Sequence, residues 1–333
     1  LINNLPAKRK NIKVTGLSIN SKNIKKGYIF FAIKGHKFNG EKFINEAIKK
    51  GAQVIICSKT CNYSHSKITV IKTDDVRYKL SEISSKFYSL KPKNIIAVTG
   101  TNGKTSVADF FYQILTINKI PVASIGTLGI KYKGKKIETE LTSPDTISIH
   151  KTLEKIKKKK IDNVIIEASS HGLVQKRIDH LNLKAAIFTN FTQDHLDYHK
   201  TMKSYLNAKL ILLKKIISKG KTIISDSTIK EYSIIRKISK KRKLGLFDIS
   251  SLFKRLEEKF ILSFNSFNLK NISMAFAAAK LCGIKEEKIF SSIKKLKGVN
   301  GRLELIKTFN NNVKIFIDFA HTPDALLKSI NSL

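Results

Sequence analysis

Short apolar runs recur along the chain, and segments with the apolar spacing of helices separate them. The runs that predict buried strands lie at residues 28–33, 52–57, 94–98, 163–167, 185–189 and 313–317. Helices are predicted at 41–50, after residue 105 and at 273–282. Strands that alternate with amphipathic helices are typical of a parallel sheet with crossover helices. The pattern therefore predicts an α/β fold.

Three regions follow from this pattern. We expect residues 1–90 to form a small N-terminal α/β domain, and residues 91–302 a central parallel-sheet ATPase domain. The Pro-containing stretch 91–93 is a plausible linker between them. Residues 303–333 contain one further strand, and we expect them to be the beginning of a Rossmann-like C-terminal domain that is incomplete at residue 333.

A glycine-rich turn follows the strand at 94–98. It reads Thr-Gly-Thr-Asn-Gly-Lys-Thr over residues 99–105 and runs into the predicted helix. Strand, glycine-rich turn and helix are the context of a phosphate-binding P-loop, where backbone N–H groups surround phosphate oxygens. Lys104 would reach the β- and γ-phosphates, and the Thr105 hydroxyl would bind Mg²⁺. Val98 stands where the Walker A pattern has its first glycine, so this is a shorter form of the loop.

Three polar residues beyond the loop are candidates for chemistry. Glu167 ends an apolar strand, His195 follows another strand, and Lys209 lies on a predicted helix. Each residue alone is weak evidence for a catalytic site, because a Glu at a strand end is often only a structural hydrogen-bond acceptor and a Lys on a helix is usually a surface charge. His195 and His199 have the i, i+4 spacing of a zinc pair, but no third ligand accompanies them.

Composition excludes several other classes. The 333 residues are 42% apolar, which suffices for packed cores. No run approaches the roughly 18 apolar residues of a membrane span, and the N-terminal 13 residues lack the apolar stretch of a signal peptide. Cys57, Cys61 and Cys282 make neither a disulfide framework nor a zinc set. We expect a cytoplasmic protein with free thiols and no membrane association.

The formal net charge of +38 could indicate a nucleic-acid partner. The 63 basic residues are spread along the chain, however, and nearly all are Lys. Lys, Ile and Asn are all abundant and all have A/T-rich codons, so a biased genome explains the charge without a partner. We therefore expect no nucleic-acid binding; a strong salt dependence of such binding would indicate otherwise.

The turn at 99–105 resembles the ATP loop of the Mur ligases and of their relative folylpolyglutamate synthase, and further motifs follow in the family's order. The resemblance is closest to the MurE branch. It implies an ATP-dependent amide ligase of peptidoglycan synthesis that adds the third amino acid, meso-diaminopimelate or another diamino acid such as L-Lys, to UDP-MurNAc-L-Ala-D-Glu through an acyl phosphate. It also implies a monomer. A folylpolyglutamate synthase-like ligase and a non-catalytic nucleotide-binding remnant remain alternatives.

The resemblance also implies roles for the candidate residues. In the family the corresponding Glu and His bind Mg²⁺, and the corresponding Lys carries a CO₂-derived carbamate. The implied catalytic residues are Lys104, Glu167, His195 and Lys209, and the implied metal ligands are Thr105, Glu167, His195 and carbamylated Lys209. The implied ATP-binding residues are Gly100, Thr101, Asn102, Gly103, Lys104, Thr105, Ser106, Asn271, Arg302 and Asp318.

A second set of motifs resembles the family's UDP-sugar site. They lie at residues 19–22, 35–40, 141–145 and 169–177. The implied ligands of the UDP-sugar are Ile19, Ser21, His36, Lys37, Phe38, Thr142, Ser143, Ser169, Gln175 and Arg177. Without the family, the Ser-Ser-His-Gly of residues 169–172 is equally well a helix-capping turn. The family's amino-acid pocket lies in its third domain, so we expect residues 1–333 alone to bind ligands but to ligate poorly.

Overall fold

The computed structural model of the chain describes residues 12–35, 38–139 and 141–333. These residues separate into two compact units. Unit 1 consists of the chain up to Ser89 with residues 145–154 and 175–180, and unit 2 consists of residues 90–144, 155–174 and 181–333. The predicted domain boundaries at 90 and 302 stay a prediction.

Unit 1 contains a parallel sheet whose strands follow one another in chain order. The strands are β1 (Gly16–Ser18), β2 (Tyr28–Phe31), β3 (Ala52–Ser58) and β4 (Thr69–Thr73), and the helices are α1 (Ile44–Lys49) and α2 (Val76–Phe87). Side chains alternate between the faces, so Phe30 packs with α1 on one side while Phe31 packs with α2 on the other. Both faces are therefore covered, as expected for a parallel sheet.

Unit 2 is built on an eight-stranded sheet within the described residues, in the order β12-β11-β10-β5-β9-β6-β7-β8. All neighbouring pairs from β12 to β6 are parallel, whereas β7 and β8 are antiparallel additions at one edge. The strands of the sheet are β5 (Asn94–Thr99), β6 (Val122–Gly126), β7 (Gly129–Tyr132), β8 (Lys135–Ile137), β9 (Asn163–Glu167), β10 (Leu183–Phe188), β11 (Thr222–Ser225) and β12 (Gly245–Asp248). The α/β prediction is confirmed.

Helices lie between and after these strands along the chain, and one of them, residues 146–158, belongs mostly to unit 1. They are α3 (Lys104–Ile117), α4 (Thr146–Lys158), α5 (Ser170–Val174), α6 (Leu196–His199), α7 (Met202–Ile211), α8 (Tyr232–Arg242), α9 (Ser250–Phe260), α10 (Ser266–Leu281) and α11 (Glu286–Ile293). An antiparallel hairpin of β13 (Glu304–Thr308) and β14 (Lys314–Ile317) precedes α12 (Pro323–Ile330). The helix predicted at 273–282 begins earlier, at Ser266, because Asn265 caps it by accepting a bond from the Asn268 N–H.

The main core of unit 2 lies between the sheet and helices α3 and α10. Val107, Phe110, Phe111, Ile114 and Leu115 share the buried face of α3, as the apolar spacing predicts, and all are at most 1% exposed. This core holds the N-terminus of α3, and with it the glycine-rich turn, at the end of β5. No helix in the described stretches is both long and apolar enough to cross a membrane.

We expect Phe111→Ala to lower the free energy of unfolding by about 3–5 kcal/mol, because it removes a fully buried ring and leaves a cavity. Thr116→Ala, at an exposed position of the same helix, is the matched control and should change it by about 0.5 kcal/mol or less. Chemical denaturation measures both. Equal effects of the two substitutions would contradict this account of the core.

Candidate active site

Three strand ends meet at one edge of the unit 2 sheet. Strand β5 lies between β9 and β10, and the register pairs Val98 with Glu167 and Thr99 with Phe188. The three strands are parallel, so their carboxyl ends share this edge. The glycine-rich turn after β5, Glu167 at the end of β9 and the segment after β10 are thereby brought together.

The glycine-rich turn needs its glycines. Gly100 and Gly103 have φ of +143° and +84°, a region that L side chains rarely adopt. A Cβ on Gly100 would lie 1.9 Å from the Thr189 hydroxyl, and one on Gly103 would lie 2.4 Å from Oδ1 of Asn271. Thr189 and Asn271 can therefore approach the turn this closely only because Gly100 and Gly103 have no side chain.

The segment after β10 fixes the turn from the other side. The Thr101 N–H donates to the Asn190 carbonyl at 3.0 Å, and the Asn102 N–H donates to Oδ1 of the same residue at 2.9 Å. The Thr189 hydroxyl donates to the Asn102 carbonyl at 2.6 Å. Helix α3 begins at Lys104, and N–H groups in the first turn of a helix have no carbonyl ahead of them within the helix. The turn therefore presents a fixed set of donors suited to an anion.

Glu167 lies directly beneath the first turn of α3 and is 1% exposed. Its carboxylate accepts bonds from the Thr105 hydroxyl at 3.0 Å, from the Thr127 N–H at 2.8 Å and from the Thr127 hydroxyl at 3.2 Å. Burial raises the pKa of this carboxyl, while the charge of Lys104 acts in the opposite direction. Gly126 leaves room for the carboxylate, because a Cβ there would lie 2.0 Å from Oε1.

Three cationic side chains surround this carboxylate and the turn. Lys104 Nζ donates to the carbonyls of Gly100 and Thr101 at 3.0 and 2.7 Å, and Lys209 Nζ donates to the same Gly100 carbonyl at 2.7 Å. Arg302 donates to the Thr105 hydroxyl at 3.1 Å. Burial lowers the pKa of all three, for Lys209 well below its usual value. Three cations around the turn, of which Lys209 is fully buried, favour an anionic ligand.

These groups line a cleft of about 390 Å³ in unit 2, a size suited to a small-molecule ligand. Most of the predicted ATP and metal residues of this unit line it: Thr101, Asn102, Gly103, Lys104, Thr105, Ser106, His195, Lys209, Arg302 and Asp318. Gly100, Glu167 and Asn271 are not in its wall but directly support it through the contacts described above. The structure therefore brings these candidates together.

Two oxygen atoms suitable as Mg²⁺ ligands lie together at the edge of the cleft, one on Thr105 in its wall and one on Glu167 directly behind it. The Thr105 hydroxyl and a Glu167 oxygen are 3.0 Å apart. This equals the spacing of about 3 Å between adjacent ligands in an octahedron with the bond lengths of Mg²⁺. The residues present thus fit the predicted ion.

His195 faces the same cleft in an unusual conformation. Its φ is +51°, and Nε2 lies 3.3 Å from a carboxylate oxygen of Asp194. His199, its i+4 partner, is buried and bonded to the Ser170 hydroxyl at 2.9 Å. Within the described ranges, no three His, Cys, Asp or Glu side chains come together as a metal-binding group. The alternative of a zinc pair gains no support.

The predicted UDP-sugar residues are divided between the units. Ile19, Ser21, Phe38, Gln175 and Arg177 belong to unit 1, where Arg177 donates to the Gln175 side chain at 2.8 Å and Phe38 is 73% exposed. Thr142, Ser143 and Ser169 belong to unit 2. His36 and Lys37 lie outside the described residues.

The unit 2 members of this set lie close to Glu167. The Thr142 hydroxyl lies 3.2 Å from the Thr127 hydroxyl, and the Ser143 hydroxyl donates to the Glu167 carbonyl at 2.8 Å. Ser169 Oγ accepts the Gly172 N–H at 3.1 Å, so it also caps a helical turn, as the alternative interpretation of this segment predicts.

Several residues of the site escaped the sequence interpretation. Thr127 and Asn190 hold Glu167 and the glycine-rich turn, but no local pattern marks them. Asp324 accepts a bond from the Asn102 side chain at 3.0 Å, and Asp194 approaches both His195 and His321. Asp194 directly precedes the predicted ligand His195 in the sequence, which was the available signal for it.

We expect Gly126→Ala to displace the Glu167 carboxylate, because the new methyl group would overlap it. The cost should be about 1–3 kcal/mol of unfolding free energy, with weaker Mg²⁺-dependent binding in the cleft. Gly298→Ala, which meets nothing within 4 Å, is the control and should leave both unchanged. Thermal unfolding measures the change in stability, and titration calorimetry measures the change in binding. Unchanged stability and binding in Gly126→Ala would contradict the packing described.

Comparison with known proteins finds matches along most of this chain. Residues 98–279 match the Mur ligase middle domain, and residues 13–88 match the Mur ligase family catalytic domain. A Rickettsia montanensis protein named UDP-N-acetylmuramoyl-L-alanyl-D-glutamate--2,6-diaminopimelate ligase is 37% identical over 346 residues, covering 96% of this chain and 71% of the relative.

Solved structures share the fold. A structure of UDP-N-acetylmuramoyl-L-alanyl-D-glutamate--2,6-diaminopimelate ligase superposes with a TM-score of 0.76 at 23% identity, covering 96% of this chain and 70% of the other. The MurF ligase of Thermotoga maritima in complex with ADP superposes with a TM-score of 0.62 at 19% identity, covering 97% of this chain and 75% of the other. With its middle and catalytic domains both matched, this chain belongs to the Mur ligase family.

Proposed function

We propose that this chain is an ATP-dependent ligase of the MurE type, which joins meso-diaminopimelate to UDP-MurNAc-L-Ala-D-Glu in peptidoglycan synthesis. The observation that carries the proposal is the cleft at the end of β5, where Lys104, Lys209, Arg302 and the helix N–H groups come together beside the buried carboxylate of Glu167. We take the substrates from the name of the similar ligase of Rickettsia montanensis, which specifies them. We also propose that the protein is a monomer, that it works in the cytoplasm and that it binds no nucleic acid.

The chemistry must begin by activating a carboxylate, because a carboxylate at neutral pH is a poor electrophile. In the proposed reaction the D-Glu side-chain carboxylate attacks the γ-phosphorus of ATP, the bond to the β–γ bridging oxygen breaks, and ADP leaves. The acyl phosphate is then attacked by the amino group of diaminopimelate. An amide forms, and phosphate and a proton depart.

The phosphoryl transfer requires positioning and neutralisation of charge rather than covalent help from the protein. Lys104, bonded to the turn at Gly100, and Arg302, bonded to the Thr105 hydroxyl, would neutralise charge on the transferring group. The N–H groups at the start of α3 would hold the phosphate oxygens. Asn271, buried beside Gly103, is proposed as a further ATP ligand.

Thr105, Glu167 and His195 would hold Mg²⁺, which when bound supplies positive charge to the phosphate oxygens. For Lys209 we propose carbamylation. Its burial favours the neutral amine, the form that reacts with CO₂, and the nearby charge of Lys104 acts in the same direction. A bond forms between Nζ and the carbon of CO₂ and a proton is released, so that a cation becomes an anionic oxygen ligand.

We propose UDP-sugar ligands in each unit taken by itself: Ile19, Ser21, Phe38, Gln175 and Arg177 in unit 1, and Thr142, Ser143 and Ser169 in unit 2. His36 and Lys37 are proposed from the sequence motif alone. Arg177 suits this role because its forked donors match phosphate or carboxylate oxygens. Ser143 and Ser169 are proposed as ligands because their hydroxyls lie 3.2 Å apart beside Glu167, near the proposed site of phosphoryl transfer.

Positional isotope exchange tests the first step without requiring the amine. ATP carrying ¹⁸O in the β–γ bridge should scramble its label only when UDP-MurNAc-L-Ala-D-Glu is present, because reversible transfer to the carboxylate frees the ADP phosphate to rotate. Lys104→Met should abolish the exchange and weaken ATP binding by about tenfold or more, the cost of a lost charged hydrogen bond. Lys203→Met, which removes an exposed lysine of α7, is the control.

The pattern of exchange distinguishes the alternatives. Scrambling that needs a pteroyl glutamate substrate instead of the UDP-dipeptide would favour a folylpolyglutamate synthase-like ligase. ATP binding with no scrambling by either substrate would favour a non-catalytic nucleotide-binding protein.

The carbamate has its own test. With ¹³C-labelled bicarbonate, the protein should show one slowly exchanging carbamate resonance in its ¹³C NMR spectrum. Lys209→Met should remove this resonance and Lys203→Met should retain it, since only Lys209 is buried. Persistence of the signal in Lys209→Met would assign it to another amine and refute the modification.

A further inference from the structure

The segment that carries Arg302 is tied to helix α3 by one glutamine. Residues 294–301 lead from the end of α11 to Arg302. Gln113 of α3 contacts the backbone of this segment with both ends of its amide. Its Nε2 donates to the Lys297 carbonyl at 3.1 Å, and its Oε1 accepts the Lys297 N–H at 2.8 Å. The side chain thus forms the pair of bonds that a neighbouring strand would make.

A buried carboxylate sets the orientation of this amide. Gln113 Nε2 also donates to Asp109 at 2.7 Å, one turn earlier on α3. Asp109 is 5% exposed and forms an ion pair with Lys131. A carboxylate only accepts hydrogen bonds, so it holds the NH₂ end of the amide toward itself and leaves the carbonyl end for the Lys297 N–H. All three partners agree on one orientation.

The tied segment leads directly to the cleft. Val299 is 2% exposed and pairs with Arg302 in an isolated bridge, with the Arg302 N–H donating to the Val299 carbonyl at 2.9 Å. The guanidinium then reaches the Thr105 hydroxyl and lies 4.9 Å from the centre of the Phe319 ring. Helix α3 therefore meets the Arg302 segment twice, at Thr105 and at Gln113.

We propose that Gln113 is a positioning residue for Arg302, and that the pair of bonds to Lys297 holds the arginine where it can bind the phosphates of ATP. The inference rests on the proposed function, which makes Arg302 an ATP ligand. Gln113 itself lies about 14 Å along α3 from Lys104, too far to touch a nucleotide held at the turn. It acts through the backbone of the segment.

The physical reason is a population effect. Leu296 and Val299 anchor the segment in the core, but Lys297 between them is exposed, so the backbone at that point depends on its hydrogen bonds to Gln113 for its path. Without Gln113 it would sample paths in which the guanidinium is away from Thr105. Apparent affinity falls by the fraction of molecules that remain competent to bind.

A double-mutant cycle tests this with calorimetric Kd values for ATP in the presence of Mg²⁺. Gln113→Ala should raise the Kd about fivefold, the effect of an ordinary lost hydrogen bond. Arg302→Ala should raise it further, and adding Gln113→Ala to Arg302→Ala should have no additional effect. Asn118→Ala is the matched control: Asn118 caps the same helix and bonds Ser292 of α11 at 2.7 Å, and its loss should leave the Kd unchanged.

Limited trypsin digestion reports on the segment itself. Lys294, Lys295 and Lys297 are exposed, and Gln113→Ala should speed cleavage there while Asn118→Ala does not. An unchanged Kd in Gln113→Ala, or an equal loss in the presence and absence of Arg302, would overturn the proposal. Failure of the proposed function shows differently, as the absence of isotope exchange in the unmodified protein.

Discussion

The burial of the Glu167 carboxylate beneath the first turn of α3 is the constraint on which the cleft depends. The register of β5 and β9 places it there, and Thr105 and Thr127 together satisfy it with three hydrogen bonds. A buried carboxylate without such partners would cost several kcal/mol. Strand pairing, the turn and the chemistry are therefore linked through one side chain.

The cations around this carboxylate form a second level of organisation. Lys104 and Lys209 share the carbonyl of Gly100, and Arg302 approaches from a separate segment. Burial makes the charged form of each less favourable, which lowers its pKa. Stability alone would favour apolar residues here, so the arrangement is best explained by binding of a highly charged ligand.

The sequence predicts those parts of this arrangement that are local. Central parallel strands such as β5 and β9 are continuous apolar runs, and the turn from Gly100 to Thr105 carries its chemistry in consecutive residues. Strand β8 was missed because its Lys-Lys-Ile sequence is exposed and has no apolar run. The contacts of Asn190 with the turn, or of Gln113 with Lys297, join residues far apart in the chain. Only the folded sheet brings them together, so no spacing pattern could reveal them.

The space above Gly126 is filled by the carboxylate of a different strand rather than by a side chain of its own. Positions 126 and 167 are therefore one steric unit. A side chain at 126 would overlap the Glu167 carboxylate, so a larger residue there costs stability unless a shorter residue stands at 167. Among descendants of this sequence, we expect substitution of Gly126 to accompany or follow loss of Glu167.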